Sequence, residues 1–301
     1  MNPNLNNEGS VMGTHKCRVH SHFDSGTATI LEDALIIAPP FFGVLDGVSG
    51  LYHPREGPRW FDGVSGGQEI VRIVAAEFLK AQASEPLDHI LRKANAAIRQ
   101  FAEGAGIPLD RSDLLPGAQF VVAKVGDDAV EMTQCGDSLA VWAFSDGRVG
   151  AFLNQTYAHE RSLVAILDNL REKHQGDRDR IWEEYLPISA RARRERANRG
   201  GDNGYAVLNG QPQGEELWAR VTLPRDELSL LLLFTDGLVT LEETNDPAAM
   251  AGLILGRYRE GGWVSVFKRI RDWEDELKGM RHIDHAEATG VALEFVSPRG
   301  A

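Results

Sequence analysis

Four Asp-Gly dipeptides stand in this chain, at Asp46, Asp62, Asp146 and Asp236. An isolated Asp-Gly is ordinarily a turn, because both residues adopt turn dihedrals at little cost. Asp146 suits that reading, with β-like residues close on either side. Asp46 and Asp236 do not. Each ends a strongly apolar run, Phe-Phe-Gly-Val-Leu over 41–45 and Leu-Leu-Leu-Leu-Phe-Thr over 230–235, and neither is followed by an immediate return strand. A carboxylate leaving the end of a buried strand must be solvated, paired or metal-bound, because desolvating it alone is costly. The neighbouring glycine lets the backbone carbonyl approach a ligand closely. Glu32 and Asp33 precede the apolar segment 34–38, Asp137 follows 130–134, and Asp284 precedes the final strand-like segment. The two cysteines, Cys17 and Cys135, lie far apart and exclude a disulfide framework or a four-cysteine zinc site. Oxygen donors at so many strand ends suit Mg²⁺ or Mn²⁺.

The elements that must carry these acids are legible in outline. Short β-like segments occur at 34–38, 41–45, 120–125, 130–134, 139–144 and 149–153, with Ser145-Asp146-Gly147 as a hairpin turn between the last two. Two more, 217–223 and 228–234, read as a strand pair around Pro224-Arg225-Asp226, and 290–296 reads as a closing strand. Ser65 and Gln68 have capping-box spacing ahead of Ile70, Val74, Phe78 and Ala81 on one helical face. A second helix is expected from Pro86, and others at 159–172, 178–198, 247–258 and 263–278. Strands flanked by helix pairs in two separate blocks imply two packed sheets covered by helices. Residues 157 to about 215 are highly charged and read as an excursion over the core.

The chain has 301 residues, 43 % apolar and 25 % charged, enough for a sizeable core. Its 32 basic and 44 acidic residues leave a net charge of −12, which argues against a nucleic-acid binder. No apolar run approaches the roughly 20 residues of a membrane span. The Asn-rich start lacks a signal-peptide pattern, so a cytoplasmic protein is expected, with residues 1–18 disordered and the domain over 19–298.

Taken in order, Glu32-Asp33, Phe-Gly-Val-Leu-Asp-Gly-Val-Ser-Gly (42–50), Cys-Gly-Asp-Ser-Leu-Ala-Val-Trp (135–142), Leu-Phe-Thr-Asp-Gly-Leu (233–238) and the acidic segment 284–287 resemble the ordered motifs of the metal-dependent, type 2C-like (PPM) Ser/Thr protein phosphatases. The resemblance spans roughly residues 20–296. It implies an α+β fold, a four-layer αββα sandwich of two mainly antiparallel sheets, with a charged flap-like insertion near 156–215. It further implies hydrolysis of phosphoserine and phosphothreonine in a protein substrate by a metal-activated water, with no covalent enzyme intermediate. By the same resemblance, two Mn²⁺ or Mg²⁺ ions are bridged by Asp46 and met by the Gly47 carbonyl. Asp236 and Asp284 hold one ion, Glu32 and Asp33 hold or orient water at the other, and Asp137 touches a third, weaker one.

The chain departs from the family pattern in three places. Thr27-Ala28-Thr29 stands where an arginine often binds substrate phosphate. Val48 replaces a histidine found in some members. In the last motif Ala286 occupies the ligand position, with Asp284 two residues early and Glu287 one late, so Asp284 is the expected ligand and Glu287 the alternative. Arg55 and Arg59, in the loop 51–64 beside Asp46, are candidates for the missing cation. Asp62 is expected at a helix entry, the basic run 191–199 as a solvated helix face, and His282 and His285 at the surface. Two other functions fit the same departures: a pseudophosphatase that binds a partner without turnover, and a phosphatase of a small phosphorylated metabolite.

Overall fold

The structure, a computed structural model, describes residues 17–281 and 285–296. In chain order the first strands are β1 (Cys17–Asp24), β2 (Asp33–Ala38), β3 (Phe41–Val48), β4 (Trp60–Phe61) and β5 (Val64–Ser65). Helices α1 (Gly66–Lys80) and α2 (Leu87–Gly104) follow, then β6 (Gly117–Val125), β7 (Ala129–Cys135), β8 (Leu139–Phe144) and β9 (Val149–Ala151). The charged excursion forms α3 (Tyr157–Lys173) and α4 (Arg178–Arg196). The chain closes with β10 (Ala219–Pro224), β11 (Leu228–Phe234), α5 (Pro247–Arg281) and β12 (Ala288–Phe295).

Two five-stranded antiparallel sheets result, in the orders β10-β7-β6-β3-β2 and β1-β12-β11-β8-β9. Side-chain alternation along each strand decides what lies on either side. Phe41, Leu45, Phe120 and Val122 face α1 and α2, whereas Phe42, Val44, Val121 and Ala123 face the second sheet. On that second sheet Leu231 and Leu233 point inward, and Leu230, Leu232 and Phe234 pack under α5. The layers are therefore helices, sheet, sheet, helix: the αββα sandwich. Each fully buried Leu, Val or Phe in these layers stabilises the fold by about 1.5–3 kcal/mol.

The helices expected at 159–172 and 178–198 form over Tyr157–Lys173 and Arg178–Arg196, and α1 stops one residue short of Ala81, which caps it. Ser65 caps α1 with its hydroxyl on the Gln68 N–H, and Gln68 returns the bond to the Ser65 N–H. The two helices expected at 247–258 and 263–278 share the α5 span, which breaks at Gly261 and Gly262, where Gly262 takes φ 63°. The expected pairing of 217–223 with 228–234 does not form. β10 pairs with β7 in one sheet, and β11 lies between β8 and β12 in the other. Residues 225–227 thus carry the chain from one sheet to the other. Asp62 is also corrected: with φ 48° beside Gly63 at φ 87°, it makes the tight turn of the β4–β5 hairpin and does not enter a helix. Among the described residues no helix is long and apolar enough to cross a membrane.

Candidate metal centre

The alternation that puts Phe42 and Val44 between the sheets puts Asp46 there too, at the end of β3. Asp33 stands opposite it, in register, as the first residue of β2. The second sheet delivers its acids to the same end. Phe234 at the end of β11 pairs with Leu139 at the start of β8 and with Gly290 near the start of β12. Asp236, Asp137 and Glu287 therefore leave three adjacent strands at one edge. Asp137 lies where the chain crosses from β7 to β8, that is, from one sheet to the other.

Hydrogen bonds tie these ends together. Thr235 donates its hydroxyl to Asp33 at 2.8 Å and accepts the Thr289 N–H at 3.0 Å, which joins β11, β12 and β2. Glu287 accepts the N–H groups of Glu32 (2.8 Å) and Asp33 (3.1 Å). Its own loop is braced from α5. Arg271 donates to the Ala286 carbonyl at 2.7 Å, and Glu274 accepts the Ala286 N–H at 2.9 Å. The two Asp-Gly glycines are needed because backbone crowds them. A Cβ at Gly47 would lie 2.7 Å from the Glu32 carbonyl oxygen, and one at Gly237 would lie 2.0 Å from that of Glu287. The Gly47 N–H is itself bonded to the Glu32 carbonyl at 3.1 Å.

The pentapeptide Asp-Gly-Val-Ser-Gly occurs twice in the sequence, at 46–50 and at 62–66, and this short repeat has a structural use. Ser49 and Ser65 are the equivalent serines of its two copies, and both donate their hydroxyls to Glu32 Oε1. Glu32 is thus drawn toward the start of α1, beside Asp33 but with one oxygen already engaged.

The acids raise one another's proton affinity. Burial pushes Asp33 up to about 7, helped by the charges of Glu287 and Asp236 and opposed by the hydrogen bond from Thr235. Burial, then the charges of Asp236 and Asp33, push Asp46 well above the usual carboxylate range. Asp137 is pushed well above it by burial and then by Glu160, Asp236 and Asp46. Asp236 rises to about 6, through burial and the charge of Glu160. Its carboxyl touches solvent at the rim, yet protein surrounds it there, and that enclosure is what weakens its hydration. Glu287 is raised by burial, offset in part by the two N–H groups it accepts. No lysine or arginine is among the groups acting most strongly on these five carboxyls.

Glu160 and Thr156 were not singled out from the sequence. They lie one turn apart at the start of α3, where the Thr156 hydroxyl faces Asp137 Oδ2 at 3.2 Å, Asn154 Oδ1 at 2.8 Å and Glu160 Oε1. One hydroxyl proton cannot serve three acceptors. Asp137 also leaves Oδ1 buried without a hydrogen-bond partner. The only sequence signal was the i, i+4 spacing of Thr156 and Glu160, which any charged surface helix offers.

The arginine candidates lie elsewhere. Arg55 pairs with Asp179 on α4, and Arg59 donates to the Ala105 carbonyl at 2.7 Å and covers Phe61. His285 bonds Asp275 at 2.9 Å, away from the acids. Asp284 and His282 lie outside the described residues, so of the two last-motif acids Glu287 is the one placed at the cluster.

The donor chemistry fits a pair of hard divalent cations: oxygen ligands only, an orphaned buried oxygen on Asp137, and like charges with no counter-charge among them. Among the described residues no three acidic, imidazole or thiol side chains already stand grouped as a ready-made metal site. Instead the carboxyls act on one another directly, Asp236 on Asp46 and Glu160 on Asp137, which raises the proton affinity of Asp46 and Asp137.

No family model and no curated protein sequence matches the chain. Solved structures do. The chain is similar to the Mycobacterium tuberculosis serine/threonine phosphatase PstP/Ppp, at 15 % identity and TM-score 0.54 over 92 % of this chain and 98 % of that one. It is similar to the serine-threonine phosphatase 2C of Toxoplasma gondii, at 14 % identity and TM-score 0.54 over 96 % and 97 %. It is also similar to the PstP catalytic domain solved with two manganese ions, at 16 % identity and TM-score 0.51 over 93 % and 98 %. The chain has the fold of the type 2C-like phosphatases along nearly its whole length.

Proposed function

We propose that this protein is a metal-dependent phosphoserine/phosphothreonine protein phosphatase. One observation carries the reading: Asp33, Asp46, Asp137 and Asp236, far apart in sequence, meet at one end of an αββα sandwich, with no lysine or arginine of the described residues among the groups acting most strongly on them. Asp46 and Gly47 would hold both ions, with Asp236 and either Asp284 or Glu287 on one side, Glu32 and Asp33 on the other, and Asp137 toward a third. A pair of Mn²⁺ or Mg²⁺ ions supplies an activated water near neutral pH and screens the phosphoryl charge for in-line displacement.

The chain's own residues set the conditions for that chemistry. Their summed negative charge would repel a phosphomonoester dianion, and bound divalent cations would offset that repulsion. Thr235 and Thr289 fix Asp33, and Ser49 and Ser65 fix Glu32, so the first side of the site is oriented before any ligand arrives. A protein substrate is supported by the neighbours, whose names specify serine/threonine phosphatases.

The departures at Thr27-Ala28-Thr29 and in the last motif motivate one other reading, a partner-binding module without turnover. Para-nitrophenyl phosphate and a phosphothreonine peptide, assayed with Mn²⁺ and with Mg²⁺, separate the two. Divalent-dependent release of phosphate is expected; none with any divalent ion would leave the binding module as the answer. Preference for small phosphates over the peptide would favour a metabolite substrate.

A further inference from the structure

The basic run 191–199 is not one solvated face. Arg191 is exposed and pairs with Glu195 at 2.7 Å. Arg194 reaches the buried Asp113 at 2.9 Å, and Arg196 donates to Ser162 at 2.7 Å. Arg193 differs from all of these. It is half-buried, it lines a cavity of about 140 Å³, and among the described residues its guanidinium has no carboxylate or hydrogen-bond partner.

That cavity borders the acid cluster. Val48, Gln119, Thr156, Glu160, Arg193 and Tyr205 are among the residues that line it. Val48 lies two residues past Asp46, and Gln119 stands opposite Asp46 in the β3–β6 register. Gln119 Oε1 also accepts the Asp137 N–H at 2.6 Å. His159, stacked on Tyr205 at 4.5 Å, carries no competing charge: burial, then Arg196 and Arg193, hold it down to about 4. A desolvated guanidinium without an anion is costly, and its planar fork matches a phosphoryl group in two parallel hydrogen bonds.

We propose that Arg193 binds the substrate phosphate, delivered from the α3–α4 hairpin in place of the arginine that the segment Thr27-Ala28-Thr29 lacks. The inference rests on the phosphatase reading above. It also explains why Arg55 and Arg59 are free to hold the scaffold together.

The test compares Mn²⁺-loaded wild type with Arg193→Met, Arg193→Lys and, as the surface control, Arg191→Met. Inorganic phosphate binding is measured by calorimetry, alongside kcat, KM and phosphate inhibition with para-nitrophenyl phosphate. Arg193→Met should raise the phosphate Kd, its inhibition constant and KM by roughly ten- to a hundredfold, the scale of one charge-assisted interaction, with a smaller change in kcat. Arg193→Lys should fall between, since an ammonium keeps the charge but not the fork. Arg191→Met should match wild type, and the Mn²⁺-induced rise in melting temperature should be the same in all four. An unchanged phosphate Kd in Arg193→Met overturns the proposal. So does an equal loss in Arg191→Met, which would mark a diffuse charge effect, or a lost Mn²⁺ shift, which would place Arg193 at the metals. If Arg193→Met does not fold, Arg193→Lys decides by the same readouts. Phosphate binding that depends on Arg193 in a wild type without turnover would uphold this inference and sink the phosphatase reading alone.

Discussion

The acid cluster has two flanks built on different principles. On the sheet flank, Asp33, Asp46, Asp236 and Glu287 leave paired strand ends, and the groups that touch them are mostly paired, the buried Thr289 hydroxyl excepted. The Thr235 hydroxyl gives its one proton to Asp33 and takes one N–H from Thr289. On the hairpin flank, the Thr156 hydroxyl faces three acceptors, Asp137 keeps an orphaned oxygen, and Arg193 has no anion. The first flank keeps one neutral hydroxyl unpaired, whereas the second leaves a carboxylate oxygen and a guanidinium to be completed by something that binds. A fold can thus fix its metal-facing strand ends through register while leaving ligand recognition to a helical excursion.

The largest expected effect breaks the sheet flank outright. Asp46→Asn should lower divalent-dependent turnover by about a thousandfold or more, the several kcal/mol that metal charge stabilisation is worth. Without metal the same variant should melt higher than wild type near pH 8, because a neutral amide no longer resists burial beside Asp33 and Asp236. Retained activity would show that the ions bind elsewhere.

Next comes the pH response of the metal-free protein. Asp33 and Asp236 have folded pKa values near 7 and 6, above the unfolded value of about 3.9. A raised acid favours the folded state in its protonated form. Its contribution is complete below about pH 4 and is lost as pH rises through 6 and 7. The melting temperature in EDTA should fall between about pH 5 and pH 8. The rise produced by Mn²⁺ should grow over the same interval, since cations replace the departing protons. A flat profile in EDTA, or a Mn²⁺ shift that shrinks with pH, would contradict this picture of the cluster.

Glu160→Gln sharpens the comparison from the other side. Glu160 acts on Asp137 and Asp236 from the hairpin. Its neutralisation should raise the Mn²⁺ concentration for half-maximal activity by about tenfold, while kcat at saturating Mn²⁺ stays within a few-fold. A loss as deep as that of Asp46→Asn would erase the distinction between the flanks.

The two flanks also differ in how far the sequence revealed them. Asp33, Asp46, Asp137 and Asp236 were readable because each abuts an apolar run whose period says strand, and strand ends collect at the ends of a sandwich. The strand pairing of 217–223 was misread because two apolar runs around a turn look alike whether they pair or part into different sheets. Glu160 and Arg193 were hidden for another reason. On a charged helix acids and bases stand on several faces, and which one turns inward depends on how the hairpin docks. Arg55 and Arg59 were near the site in sequence yet were claimed by Asp179 and the Ala105 carbonyl. The serines of the short repeat show the reverse case: a pattern noticed but unexplained, until Ser49 and Ser65 met on Glu32.

The smallest expected effect is the most direct comparison, because it makes the same change on both flanks. Thr235→Val removes a hydroxyl that two buried partners use. It leaves the Asp33 carboxyl and the Thr289 N–H unpaired, so metal-free stability should fall by about 1–3 kcal/mol. Thr156→Val removes a hydroxyl that can satisfy only one of its three acceptors, Asp137, Asn154 and Glu160, so two of them lack its proton in the wild type already. Its cost should lie below about 1 kcal/mol, the net worth of one ordinary hydrogen bond. Chemical denaturation of both variants in EDTA measures the difference directly. Equal losses would mean that Thr156 is as fully used as Thr235, and the hairpin flank would then be a finished structure and not a surface waiting for its ligands.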